Sequence, residues 1–341
     1  MSGSDMQASG ATAASPAAAP PASEARGAGL RKWAIVKIGL LLLAVVFLPP
    51  YFDDRYLTTI LISVVFFGIL GAIYDLMVGY AGLNNFGFAG VLAIGSYASA
   101  LCQLNFGTTG WEGLLIGGIA AGAIGLLTGI ITLRLRGLYL GLMTFFVGET
   151  IRLTISNLPQ YTRGTLGLTV APFENIFGID FARGADPLNY YYLLLLLGAV
   201  IMIFMHWLVR SKAGLVWRAL KEDETAARTL RVRATRWKLL NFTIASFLTG
   251  VMGSFYAHNL GVLSPLPTEF GVGRTVEVLT VAYVGGRGTL WGSFFAAALL
   301  IGIQEYFRGL GAWRLVLFGV LLILVMIFVP KGLARFKRLL L

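Results

Sequence analysis

From residue 33 onward the chain is a succession of apolar stretches separated by short polar turns, most of them close to the length a helix needs to cross a ~30 Å hydrocarbon layer. Ten can be read: Trp33 to Leu48, Leu57 to Tyr74, Phe86 to Leu104, Gly113 to Leu133, Leu138 to Ile155, Leu188 to Val209, Leu239 to His258, Phe270 to Val284, Gly292 to Tyr306 and Ala312 to Val329. The fifth carries Glu149 and Arg152 and the eighth Arg274 and Glu277, which sets the expected number of crossings at eight to ten. The pattern predicts an all-α, polytopic integral membrane protein.

Composition agrees, since only 13% of the 341 residues are charged, about half the share of an ordinary globular domain. Residues 1–32, rich in Ala, Pro and Ser, read as a disordered tail, 33–334 as the membrane domain and 335–341 as a basic end. A net charge of +11 could suggest nucleic acid, but the cations lie between apolar stretches, where they report orientation, and no nucleic-acid partner is expected. With the N-terminus inside, 20 of the 27 Lys and Arg fall on the cytoplasmic side, so both termini are expected there and the number of crossings is even. Cys102 is a lone cysteine and His206 and His258 stand on different stretches, so neither a disulfide nor a metal centre is expected.

Three places carry candidate chemistry. In the internal segment 210–238, Val216 to Leu230 contains no Gly or Pro and predicts an amphipathic surface helix bearing Arg218, Leu220, the acidic triplet Glu222, Asp223 and Glu224, and Ala226 and Ala227. It suits a protein partner; a solvated loop that only fixes topology is the competing reading. Asn84 and Asn85 stand among Gly79, Gly82 and Gly87, which fits either a broken, re-entrant segment lining a polar path or tight packing cross-linked by amides. Glu149 and Arg152, three apart on one helical face, either line that path or form a structural pair. The long external connection Ser156 to Pro187 is a docking surface, a lid or a plain solvated loop. No GxxxxGK[ST], HExxH or GxSxG motif occurs, so no catalytic residue is assigned and ATP is not bound here through a phosphate loop.

The segments GYAGLNNFGFAGVLAIGSYASA, LRLRGLYLGLMTFFVGETIRL, RALKEDETAARTLRVRATRWKLLNF, YAHNLGVLSP, VGGRGTLWG and FVPKGL together resemble the permease subunits of ABC importers for branched-chain amino acids, of the second of the two paired types. The resemblance implies that the internal helix couples to a separate ATPase, and that a related permease completes a heterodimer. It further implies two ATP-binding subunits holding ATP and Mg, with no cofactor in this chain. An extracytoplasmic binding protein would deliver branched-chain or other hydrophobic amino acids across a bacterial inner membrane. The family often has a histidine and a serine where this chain has Phe88 and Asn84 or Asn85, a departure that bears on the substrate, and urea or short amides are carried by related permeases. It usually has glycine where Arg231 stands, so a left-handed helix cap is expected to form less easily. The competing class is an ion-coupled secondary transporter using Glu149, Arg152 and the broken segment.

Overall fold

Inside lipid a backbone has only itself and its neighbours to hydrogen-bond, so apolar runs of this length wind into helices. The computed structural model describes residues 54–310, apart from 136, 176–177 and 183–185, together with 319–320. In chain order the helices are α1 Arg55–Asp75, prolonged by a π turn Leu76–Tyr80, then α2 Phe88–Phe106, α3 Gly110–Thr132, α4 Leu138–Ser156 and α5 Pro187–Arg210. They are followed by α6 Lys212–Glu222, α7 Glu224–Thr229, α8 Ala234–Leu260, α9 Val272–Gly285 and α10 Gly292–Tyr306.

Among the described residues six helices, α1 to α5 and α8, are long and apolar enough to cross a membrane, and they coincide with six of the expected stretches. Two more stretches form α9 and α10, of 14 and 15 residues. At 1.5 Å per residue these reach only about 21 to 22 Å, less than a full crossing. The stretch Trp33 to Leu48 and, but for 319–320, the stretch Ala312 to Val329 lie outside the described residues, as do the 1–32 tail and the 335–341 end.

The centre of the bundle is built on absent side chains. Helix α3 buries Gly113, Gly117, Gly118, Ala121, Gly122, Gly125 and Gly129 and exposes Leu115, Ile119, Leu127 and Ile131, the reverse of a soluble helix. Its small face lies antiparallel to α8, with Gly113 near His258, Gly117 near Ser254 and Gly129 near Leu239. A Cβ on Gly117 would stand 2.7 Å from the Gly95 carbonyl of α2, so three helices meet there backbone to backbone. On the other flank α1 packs against α9 and α10, where Val281, Val284, Ala296, Ala297 and Leu300 form an apolar cluster with Val64 and Phe67.

At the end of the bundle opposite α6, the connection after α4 is folded down rather than loose. Leu168–Thr169 pairs antiparallel with Val262–Leu263. A buried chain of hydrogen bonds fastens it: the Ser254 hydroxyl donates to Ser99 Oγ at 2.8 Å, Ser99 bonds His258 Nε2 at 3.0 Å, and His258 Nδ1 reaches the Ala171 carbonyl at 2.7 Å. Because a carbonyl can only accept, the Nδ1 position carries the proton and Nε2 accepts from Ser99, which fits a neutral imidazole. Phe173 packs on that ring at 4.7 Å.

Replacing Gly117 with valine should reduce detergent-extracted, monodisperse protein about tenfold or more, since backbone must separate to admit the side chain. Leu127→Val on the exposed face of the same helix should leave the yield unchanged. Size-exclusion profiles of both variants check the pair.

Candidate functional site

The internal segment forms two helices where one had been expected from Val216 to Leu230. Asp223 divides them: it adopts an extended backbone (φ −151°, ψ 105°), and its Oδ1 accepts from the amides of Thr225 and Ala226 at 2.8 and 3.0 Å, capping α7. A cap residue competes with the helix for its own backbone, and in this run Asp223 wins. The acidic triplet is accordingly not one charged face. Asp223 is a cap, Glu224 bonds Arg228 at 2.7 Å and Lys238 at 2.8 Å, and Glu222 is exposed.

Helix α7 ends in a Schellman motif. Val232 N–H donates to Ala227 O at 3.3 Å, Arg231 N–H donates to Arg228 O at 3.0 Å, and Arg231 takes φ 62°. The left-handed cap thus forms in spite of the arginine. Its two hydrogen bonds, with Val232 packed on the buried Leu220, Ala227 and Ala234, offset a conformational cost of about 1 kcal/mol.

Helix α6 is clamped to the bundle by three side chains. Trp217 is fully buried and its Nε1 donates to the Trp237 carbonyl at 2.8 Å, which joins α6 to the start of α8. Lys221 Nζ donates to Gly79 O at 2.6 Å, and the Arg218 guanidinium lies 5.4 Å from the Tyr80 ring centre, so both grip the π turn. Leu220 and Ala227 face inward. Leu215, Glu222, Ala226 and Leu230 are left exposed, Leu230 at 79%.

The π turn is held by groups the sequence did not single out. Asn241 Nδ2 of α8, fully buried, donates to the Leu76 carbonyl at 3.0 Å. Asp75, 1% exposed, accepts from the Gly288 amide at 2.8 Å, and the Tyr80 hydroxyl donates to the Gly288 carbonyl at 3.0 Å. A single acid at the end of an apolar run reads as an interfacial residue; here it joins the end of α1 to the turn between α9 and α10.

Between the π turn and α2 the chain is not helical, and both asparagines lie in this break. Buried Asn85 accepts from the Gly87 amide at 3.0 Å, while Asn84 Oδ1 accepts from the Tyr283 hydroxyl at 3.3 Å. Thr144 Oγ1 accepts from the Phe86 amide at 3.1 Å and Thr275 Oγ1 from that of Ala89 at 3.0 Å. Glu149 and Arg152 form an ion pair on α4, and Arg152 Nη1 also donates to the Pro265 carbonyl at 3.0 Å. A second pair at the same spacing, Arg274 with Glu277 at 3.0 Å, opens α9. Among the described residues no group of three or more His, Cys, Asp or Glu side chains is placed to hold a metal ion.

A family model described as "Branched-chain amino acid transport system / permease component" matches residues 56–330. The chain belongs to this family. It is therefore a permease component of a transport system, and the ion-coupled alternative is left without support. It is 33% identical over 321 residues to the high-affinity branched-chain amino acid transport system permease protein LivM of Escherichia coli, covering 88% of this chain and 75% of that one. It is 29% identical over 247 residues to the autoinducer 2 import system permease protein LsrC of an Enterobacter species, covering 68% and 61%. To the fructose import permease protein FrcC of Rhizobium meliloti it is 22% identical over 307 residues, covering 85% and 82%. No solved structure matches the chain significantly. Permeases of this kind thus carry names for chemically unlike cargo, and cargo has to be sought in residues that differ among them.

Arg231→Gly should stabilise the end of α7 by about 1 kcal/mol, because glycine takes the left-handed conformation without the Cβ penalty. Asp223→Ala should destabilise it by about 1 kcal/mol through loss of the cap. Hydrogen exchange of the Ala226 to Arg231 amides in the solubilised protein should slow in the first variant and quicken in the second.

Proposed function

We propose that this chain is one of the two membrane-spanning subunits of an ATP-driven importer. It pairs with a related permease in a complex that carries two ATP-binding subunits, contacts the ATP-binding machinery through α6 and α7, and receives branched-chain or other hydrophobic amino acids from an extracytoplasmic binding protein. The setting is a bacterial inner membrane with both termini in the cytoplasm, in line with the distribution of Lys and Arg. The observation that carries the reading is the build of α6 and α7. A solvated loop would need neither a fully buried Trp217 nor a lysine tied to the end of a membrane helix, whereas a part that receives force must be fixed on one face and free on the other. The free face, with Leu215, Glu222, Ala226 and Leu230, suits a protein surface: exposed leucines beside one acid match an apolar, partly basic groove. The family description and the 33% identity to LivM of Escherichia coli support an amino-acid cargo.

The exposed side chains of Leu230 and Glu222 take no part in the Asp223 cap or in the clamp of Trp217, Arg218 and Lys221, so Leu230→Asp and Glu222→Lys test the free face. Each should lower binding-protein-stimulated ATP hydrolysis and uptake about tenfold at normal abundance of the permease, and co-purification of the ATP-binding subunits should fall with them. Unchanged ATPase coupling in both would reject α6–α7 as the contact. A cysteine at Thr225 in a Cys102→Ser background should react with an impermeant thiol reagent only from the cytoplasmic side.

A further inference from the structure

The connection from Ser264 to Gly271 enters the bundle. Its last turn, Pro267–Phe270, places Phe270 against Tyr97 and Tyr256, with ring centres 6.0 and 5.9 Å apart, and Tyr97 is the middle residue of membrane helix α2. Irregular backbone at that depth is tolerated where protein or a water-filled path surrounds it. Both arginine–glutamate pairs border it: Arg152 holds the Pro265 carbonyl, and Arg274 Nε donates to the Glu269 carbonyl at 3.3 Å. The pairs are not sealed in the interior. Side-chain exposure is 30% for Glu149 and 31% for Glu277, and ionised groups at membrane depth face water or a partner rather than lipid.

Within this group Glu269 stands apart. Its carboxylate lies near the Ser264 amide and the Arg274 charge, but Oε2 is buried without a hydrogen-bond partner. The Tyr97 hydroxyl, on a side chain only 3% exposed, also lacks a partner and lies within electrostatic reach of that carboxylate. Arg152 and Arg274 each hold a glutamate of their own helix in an ion pair, and among the described residues Glu269 has no ion pair of its own. Two unsatisfied oxygens, one of them on that acid, walled by Tyr97, Phe270 and Tyr256, describe a receptor for a primary ammonium attached to an apolar body.

Building on the importer reading, we propose that Glu269, with Tyr97, receives the α-ammonium group of the amino acid as it crosses the permease. The test uses the complete transporter in liposomes with saturating leucine-loaded binding protein. Glu269→Gln should slow leucine uptake about tenfold, and Tyr97→Phe about fivefold, at unchanged subunit yield and unchanged dependence on binding-protein concentration. Glu269→Asp should recover part of the rate. 3-Methylbutylamine, which keeps the ammonium and side chain but lacks the carboxylate, should inhibit the wild type and not Glu269→Gln, and 4-methylpentanoate should inhibit neither. Uptake by Glu269→Gln within about twofold of wild type, equal inhibition of both by the amine, or loss of the second permease from the Glu269→Gln complex would overturn the assignment. If Glu269→Gln does not accumulate, the amine comparison between wild type and Tyr97→Phe decides it. Absence of leucine uptake by the wild-type complex would count against the importer reading itself.

Discussion

A break in a helix inside a membrane leaves amides and carbonyls that lipid cannot satisfy, and this chain answers several of them with side chains. Asn241 takes the Leu76 carbonyl and Lys221 that of Gly79. Asp75 takes the Gly288 amide, Thr144 and Thr275 those of Phe86 and Ala89, and Arg152 the Pro265 carbonyl. These bonds join segments far apart in sequence, so the irregular places are also where the bundle is tied together. Remove them, and the irregular entry at Asn84–Asn85 and the connection Ser264–Gly271, with its short helix Pro267–Phe270, lose bonds that hold them to the bundle.

Regular helices supply the frame against which those entries are held. The glycine face of α3 lets α2 and α8 approach through their backbones, and the large apolar residues of the same helix turn outward. Close backbone contact fixes position more strictly than interlocking leucines would, because where Gly95, Gly117 and Gly250 meet there is no side chain to change rotamer. The polar elements at both ends thus sit on a rigid centre: the His258–Ser99–Ser254 chain fastens one end, and the Trp217 clamp fastens the other.

Much of this was legible in the sequence. Six spans were found because length and apolarity suffice to define them, and the internal segment stood out through its charge and good helix formers. What was not legible depended on partners. Asp223 looked like one of three acids in a helical run until its carboxylate was seen on the next amides. Asp75 and Lys221 carried no local signal, since their meaning lies in Gly288 and Gly79, over two hundred and over one hundred positions away respectively. Arg231 was noticed as a departure from glycine, but the hydrogen bonds and Val232 packing that make a left-handed arginine acceptable belong to the folded surroundings. Glu269 escaped notice because an acid beside two prolines reads as an ordinary turn.

The bond from Lys221 to Gly79 has a mechanical meaning. Helix α1 and its π turn together span 26 residues, about 39 Å at 1.5 Å per residue, and the far end carries Tyr56 bonded to Glu305 and Arg308. Such a rod does not compress, and Gly68 and Gly71 lie hard against Phe294 and Val281 near its middle. A displacement of α6 therefore bears directly on the end of this rod, through Lys221 and Gly79.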